Sequence, residues 1–177
     1  MTPLSAPSSQ KTRSTNRRAR LHPPLTDIPI GAIVIAATLD LISSIRGGTG
    51  SLSHDLYRAG TFSLMVGTAV MVLTITAGFV DRARFTERGR RERTVANLHA
   101  TVMCVLAALC VADIVVRRHT YPHAHHTPGG VLTMTLACAI VLIVGGTLGG
   151  KLVYAFGVGV SGSGGSRDQS LADSDQR

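Results

Sequence analysis

LHPPLTDIPIGAIVIAATLDL, residues 21 to 41, decides how this chain is read. Its second half belongs to an apolar run, Ile28 to Ile45, in which Asp40 is the one charge. Its first half sets a histidine, three prolines and an aspartate against the start of that run. A helix entering a bilayer ordinarily begins with apolar residues and simple interfacial anchors, so a polar entrance of this kind marks a specified helix start. His22-Pro23-Pro24 resists backward continuation of a helix, Thr26 or Asp27 can cap it, and Pro29 is tolerated in the first turn.

Three further runs follow. Ala59 to Val80 carries no charge, Thr94 to Val116 carries only Asp113, and Pro128 to Gly150 carries none. Each run matches the roughly 17 to 25 residues that a helix needs to cross about 30 Å of hydrocarbon. The expected fold is all-α, a four-transmembrane-helix bundle with disordered N- and C-terminal tails. The helices are expected at about 28–45, 59–80, 94–116 and 130–150, within a membrane domain spanning 21–160. A basic arm (1–20) and a flexible Ser/Gly tail (161–177) flank it. A soluble bundle would show polar stripes at a 3.6-residue period, and Phe62 to Val80 and Val131 to Leu148 show almost none. Asp40 and the lack of a small-residue cleavage pattern at Ser43 to Gly50 argue that the first run is a retained helix, not a signal peptide.

The formal net charge of +8 would suggest nucleic acid in a soluble chain, but its distribution points elsewhere. Residues 1–27 hold five Lys/Arg, 81–93 hold six and the segment from Lys151 holds three, against two each in 46–58 and 117–130. This bias of 14 to 4 predicts a multi-pass plasma (inner) membrane protein with cytoplasmic termini and no nucleic-acid partner. Its first partner is the lipid bilayer, with anionic headgroups meeting the basic segments. Cys104, Cys110 and Cys138 lie inside the expected spans and form no C-x-x-C pair, so they read as small apolar packing residues.

Threading the chain across the bilayer places His22, Thr26, Asp27, Asp81, Asn97, His99, Lys151 and Tyr154 at one level on the cytoplasmic side. Ionisable residues at such depth are functional candidates by default. In the sharper of two readings, His22 and His99 are axial ligands of a b-type haem or bind a metal, oriented by a carboxylate such as Asp27 or Asp81. Asp81, Asn97, Lys151 and Tyr154 then complete the surrounding cluster. In the plainer reading His22 anchors the first helix and His99 hydrogen-bonds a neighbouring one. At the other end, Asp113 and Arg117 have the i, i+4 spacing of an ion pair, near Asp40. His119, His123, His125 and His126 form a His-rich loop able to collect Zn or Cu, without the closed pattern of a structural site. A transporter needs a polar route through the midplane, where the sequence offers mainly Thr38, Thr74, Thr76 and Thr101. No G-x-S-x-G, H-E-x-x-H, P-loop or dinucleotide fingerprint occurs, so nothing points to an enzyme.

Residues 21 to 41, the NLHAT segment at Asn97 to Thr101, and LGGKLVYAFGVGV at Leu148 to Val160 together resemble the bacterial four-helix membrane proteins grouped as domain of unknown function 2231. By position the resemblance carries over His22, Pro23, Asp27, Pro29, Asp40, His99, Gly149, Gly150, Tyr154, Gly157 and Gly159. It implies four membrane helices with no settled activity. It also implies, by analogy with actinobacterial relatives whose membrane domain precedes a Rieske iron–sulfur domain, a setting in membrane electron transfer beside an iron–sulfur or other redox protein. This sequence departs from that pattern. It has no Cys/His pairs for a Rieske cluster, and Lys151 stands where relatives often have a histidine. The function expected is therefore a haem- or metal-binding module, with a non-catalytic structural or scaffold subunit as the alternative and a small-solute or proton transporter behind both.

Overall fold

The computed structural model describes residues 22–83 and 90–156, without the side chains of residues 22–24, 80–83 and 90. Four helices follow one another: α1 (His22–Arg46), α2 (Ser51–Ala83), α3 (Arg90–Thr120) and α4 (Gly129–Tyr154). All four are long and apolar enough to cross a membrane. Each packs on its sequence neighbours, and α4 returns to pack on α1, closing a four-membered ring. The joints α1–α2 and α3–α4 lie together at one end of this ring, called here the paired-loop end. The first residues of α1 and α3 and the last of α2 and α4 lie at the other. The expected arm 1–20 and tail 161–177, with Gly157 and Gly159, lie outside the described residues.

Every helix runs past the span that the apolar pattern marked. In α1 the prolines open the helix instead of preceding it. His22 is its first residue, so Pro23 and Pro24 occupy the first turn, where missing N–H groups cost no intrahelical bond. The chain turns from α1 into α2 within residues 47–50. Gly47 (φ +53°) and Gly48 (φ +72°) take left-handed conformations that other residues rarely adopt, and the Gly47 N–H bonds the Ser43 carbonyl at 3.1 Å. This tight turn lets α2 begin at Ser51, so His54, Asp55 and Arg58 are helical where the sequence suggested a loop. The charged segment before Thr94 likewise continues α3 back to Arg90, with Glu92 in the first turn.

Surface and interior are exchanged relative to a water-soluble bundle. Ile33, Leu64, Met71, Leu106, Cys110, Cys138 and Leu142 form a narrow apolar core. Ile35, Phe62, Val66, Leu73, Val111, Ile140 and Ile143 stand on the outside, while Asp40, Asp113 and Arg117 are sealed within. In water this would expose a large apolar surface and bury three charges; in lipid it costs nothing outside and requires the charges to satisfy one another inside. Cys110 and Cys138 pack in the core and Cys104 faces outward, all three as free thiols.

The α1–α2 contact shows how close the helices come. A Cβ added at Gly67 would lie 2.5 Å from the Ala32 Cβ, and the Ser63 hydroxyl donates to the Ala32 carbonyl at 2.9 Å. Small residues let these backbones approach, as is usual where lipid supplies no hydrophobic drive between helices. Buried Pro29 lies within α1. Lacking an N–H, it cannot donate to the Leu25 carbonyl one turn back. The Thr74 hydroxyl of α2 sits 3.3 Å from that carbonyl, besides 2.9 Å from its own Val70 carbonyl. A neighbouring helix thus serves the acceptor that proline leaves without its helical donor, as a spanning segment requires. Gly67→Leu is expected to destabilise the protein by about 1–3 kcal/mol in detergent unfolding through overpacking against Ala32. Gly31→Ala, which meets nothing within 4 Å, is expected to change stability by no more than about 0.5 kcal/mol.

Candidate functional site

The polar chemistry of the spans is gathered at the paired-loop end, around Arg117. Arg117 lies near the end of α3 and is 1% exposed. Its Nε donates to Asp113 Oδ1, one turn earlier, at 3.0 Å. Its Nη1 donates to Asp40 Oδ1 of α1 at 3.3 Å and to the Thr61 hydroxyl of α2 at 2.9 Å. Its Nη2 donates to Asp40 Oδ2 and, at 2.7 Å, to the Thr135 hydroxyl of α4. A guanidinium has five N–H donors, and here each has an acceptor. The five acceptors come from all four helices. The guanidinium carbon also stands 5.6 Å from the centre of the Tyr57 ring, in cation–π range.

Local structure fixes the partners. Gly60 faces Asp40 so closely that a Cβ there would lie 3.0 Å from Asp40 Oδ1, so glycine gives the carboxylate its room. The Thr127 hydroxyl donates to the same oxygen at 3.1 Å. The Thr127 N–H donates to the Ser43 hydroxyl at 3.0 Å, and Ser43 donates in turn to the Ser53 carbonyl at 2.7 Å. Outside this layer the His54 Nδ1–H donates to the Ala124 carbonyl at 3.0 Å, and the hydroxyls of Tyr57 and Thr120 lie 2.9 Å apart. Tyr121 packs against both rings, with centroids 6.1 Å from His54 and 5.9 Å from Tyr57. The two joints are thereby stitched to the ion network and to each other.

The i, i+4 pair of Asp113 and Arg117 is present as the spacing suggests. What the spacing does not reveal is that the same guanidinium forks onto Asp40, 77 residues away in sequence. The available signal was topological. Asp40 and Asp113 are the only charges in their apolar runs, and an up-and-down thread brings both to the same end. Thr61, Thr127 and Thr135 gave no separate signal, because threonine is common in membrane helices and most of it bonds its own helix. Thr38, Thr76 and Thr101, named as midplane polar residues, are exposed and donate to carbonyls four residues back.

At the opposite end the members of the expected cluster are described in part. His99 is half-buried between α3 and α4. A carbonyl can only accept, so the ring's Nδ1–H donates to Gly145 at 3.0 Å. The ring also lies over Gly149, where a Cβ would approach its Cε1 to 3.2 Å. Asp27, Asn97, Lys151 and Tyr154 are exposed on the bundle surface, with Asp27 at the edge of an open groove between α1 and α2. The side chains of His22 and Asp81 lie outside the described residues. In the His-rich segment His119, His123 and His125 are exposed, and His126 is half-buried, its Nδ1 buried without a hydrogen-bond partner. Among the described residues no three His, Cys, Asp or Glu side chains converge as a metal-holding group.

A family model described as "Predicted membrane protein (DUF2231)" matches residues 18–162. The chain belongs to this family. The match takes in all four helices, and therefore both the Arg117 network and His99. No curated protein and no solved structure matches the chain.

The network predicts a strong asymmetry among mutants. Arg117→Met deprives the buried Asp40 and Asp113 of their guanidinium, stranding negative charge, and is expected to cost about 3–5 kcal/mol in unfolding from mixed micelles. Combining it with Asp40→Asn and Asp113→Asn removes the stranded charges, so the triple variant is expected to recover much of that loss, a clear departure from additivity.

Proposed function

We propose that the chain works as a non-catalytic scaffold module of the bacterial plasma membrane, with both termini and the α2–α3 connection on the cytoplasmic side. One observation carries this reading. Arg117 commits all five of its N–H donors to groups of the bundle itself, so the charged groups buried in the spans serve to tie helices together. The orientation rests on the 14-to-4 distribution of Lys and Arg. Burial of Arg117 strengthens it, because a guanidinium neutralised inside the bundle leaves Arg46, Arg58 and Arg118 as the exposed cations of the paired-loop end. The partner implied by the family resemblance is an iron–sulfur or other redox protein in the same membrane.

A second reading, a haem- or metal-binding module, is favoured by the His99 contact. Imidazoles that ligate metals are commonly held by a carbonyl on the other ring nitrogen, and the Nδ1–H bond to Gly145 fixes that tautomer. His22 would supply the second ligand.

One variant separates the two readings. The scaffold reading expects His99→Gln to leave chain abundance and co-purification with its membrane partner unchanged. Loss of that assembly in His99→Gln counts against it. The haem reading expects a Soret band in wild-type protein after haem supplementation and its loss in His99→Gln. Wild-type protein with no Soret band removes that reading.

A further inference from the structure

We propose that the Asp40–Arg117–Asp113 network is a proton-binding site, occupied at neutral pH by a proton on Asp113 Oδ2 that donates to the Thr135 hydroxyl. The inference goes beyond the scaffold reading and does not depend on it.

Counting hydrogens leads to it. Thr135 Oγ1 accepts from Arg117 Nη2 at 2.7 Å and has one proton of its own to give. Three oxygens stand within reach of that proton: Asp113 Oδ2 at 2.9 Å, Asp40 Oδ2 at 3.0 Å and the Val131 carbonyl at 3.0 Å. With both carboxylates ionised, Thr135 can serve one of them and must face the other lone pair to lone pair. A proton on Asp113 Oδ2 removes the conflict. Asp113 then donates to Thr135, filling the second lone pair of the hydroxyl, and the Thr135 hydroxyl donates to Asp40 Oδ2. Every oxygen facing the hydroxyl across a carboxyl contact then has a hydrogen between.

Counting charges gives the same answer. Two carboxylates against one guanidinium leave a net negative charge in a compartment sealed from water, and a buried group relieves such a charge by taking up a proton. Charged groups facing the pair could have offset it. From α1 there is Asp40 itself. From α2 there is Tyr57, whose hydroxyl is engaged with Thr120 and whose ring lies by Arg117. From α3 there are Arg117 and the Cys110 thiol, and α4 contributes the neutral Thr135 and the Cys138 thiol, neither thiol a cation. His54, beyond this layer, is bonded to Ala124. Among these groups Arg117 is the one cation bonded to the pair.

Geometry also selects the carboxyl. Asp40 takes two guanidinium nitrogens and the Thr127 hydroxyl, whereas Asp113 takes Nε on one oxygen and, among the described residues, meets Thr135 alone with the other. Asp113 Oδ2 is the carboxylate oxygen least neutralised by donors, and so the one that keeps the proton.

The test is carboxyl carbon NMR of the full chain in detergent micelles, with aspartate labelled with carbon-13 at Cγ. At neutral pH one signal is expected at the position of a protonated acid while exposed aspartates sit at the ionised position. That signal is expected to vanish in Asp113→Asn and to persist in Asp27→Asn. A wild-type spectrum with only ionised signals at neutral pH overturns the proposal, as does a protonated signal that survives in Asp113→Asn. Should Asp113→Asn fail to fold, the wild-type spectrum alone still decides against the proposal if the protonated signal is missing. Neither result bears on the assembly or absorption measurements that test the scaffold and haem readings.

Discussion

A guanidinium within a lipid-facing bundle is the constraint around which this molecule is built. Lipid offers no water to satisfy Arg117, so each of its donors needs an acceptor inside the protein, and no single helix can provide five. The bundle answers with one acceptor residue from each helix: Asp40, Thr61, Asp113 and Thr135. That requirement fixes the relative rotation and height of all four helices at the paired-loop end, which apolar packing alone would fix only loosely. A buried ion pair is weak evidence for net stability. Its contribution here is to register, since sliding any helix by one residue would strand a charge.

The two ends of the ring are held by different means. At the paired-loop end hydrogen bonds run between charged or hydroxyl side chains and through both joints. Toward the other end side chains bond backbone carbonyls, Ser63 to Ala32, His99 to Gly145 and Thr74 near the carbonyl that Pro29 leaves without its helical donor, and glycines let neighbours close in, Gly67 against Ala32 and Gly149 under His99. The first end is chemically specific and the second is sterically specific.

This difference explains what the sequence could reveal. Four long apolar runs made the fold and its connectivity readable, because the bilayer imposes length and hydrophobicity on every span. Helix ends were less readable, since α2 and α3 extend through charged residues that only a capping turn or a neighbour makes helical. The polar entrance of α1 is conspicuous in the sequence for its prolines and histidine, and its Asp27, like Asn97 and Lys151, is exposed. The charges that do converge looked ordinary one at a time. Asp113 with Arg117 reads as a local pair, and Asp40 as an isolated acid. Their union is a property of three-dimensional closure, and the threonines that complete it carry no pattern of their own.

The separation along the chain between Asp40 and Arg117 has a consequence for biogenesis. α1 must enter the bilayer carrying its carboxyl 77 residues before the guanidinium that answers it is synthesised. α3, by contrast, brings Asp113 and Arg117 in together, already paired within one turn. Thr135 arrives last, on α4. The network therefore cannot guide insertion of the first helix. It closes only once the final span is in place, so a nascent chain stalled before α4 would display an incomplete polar face to the membrane's quality-control machinery.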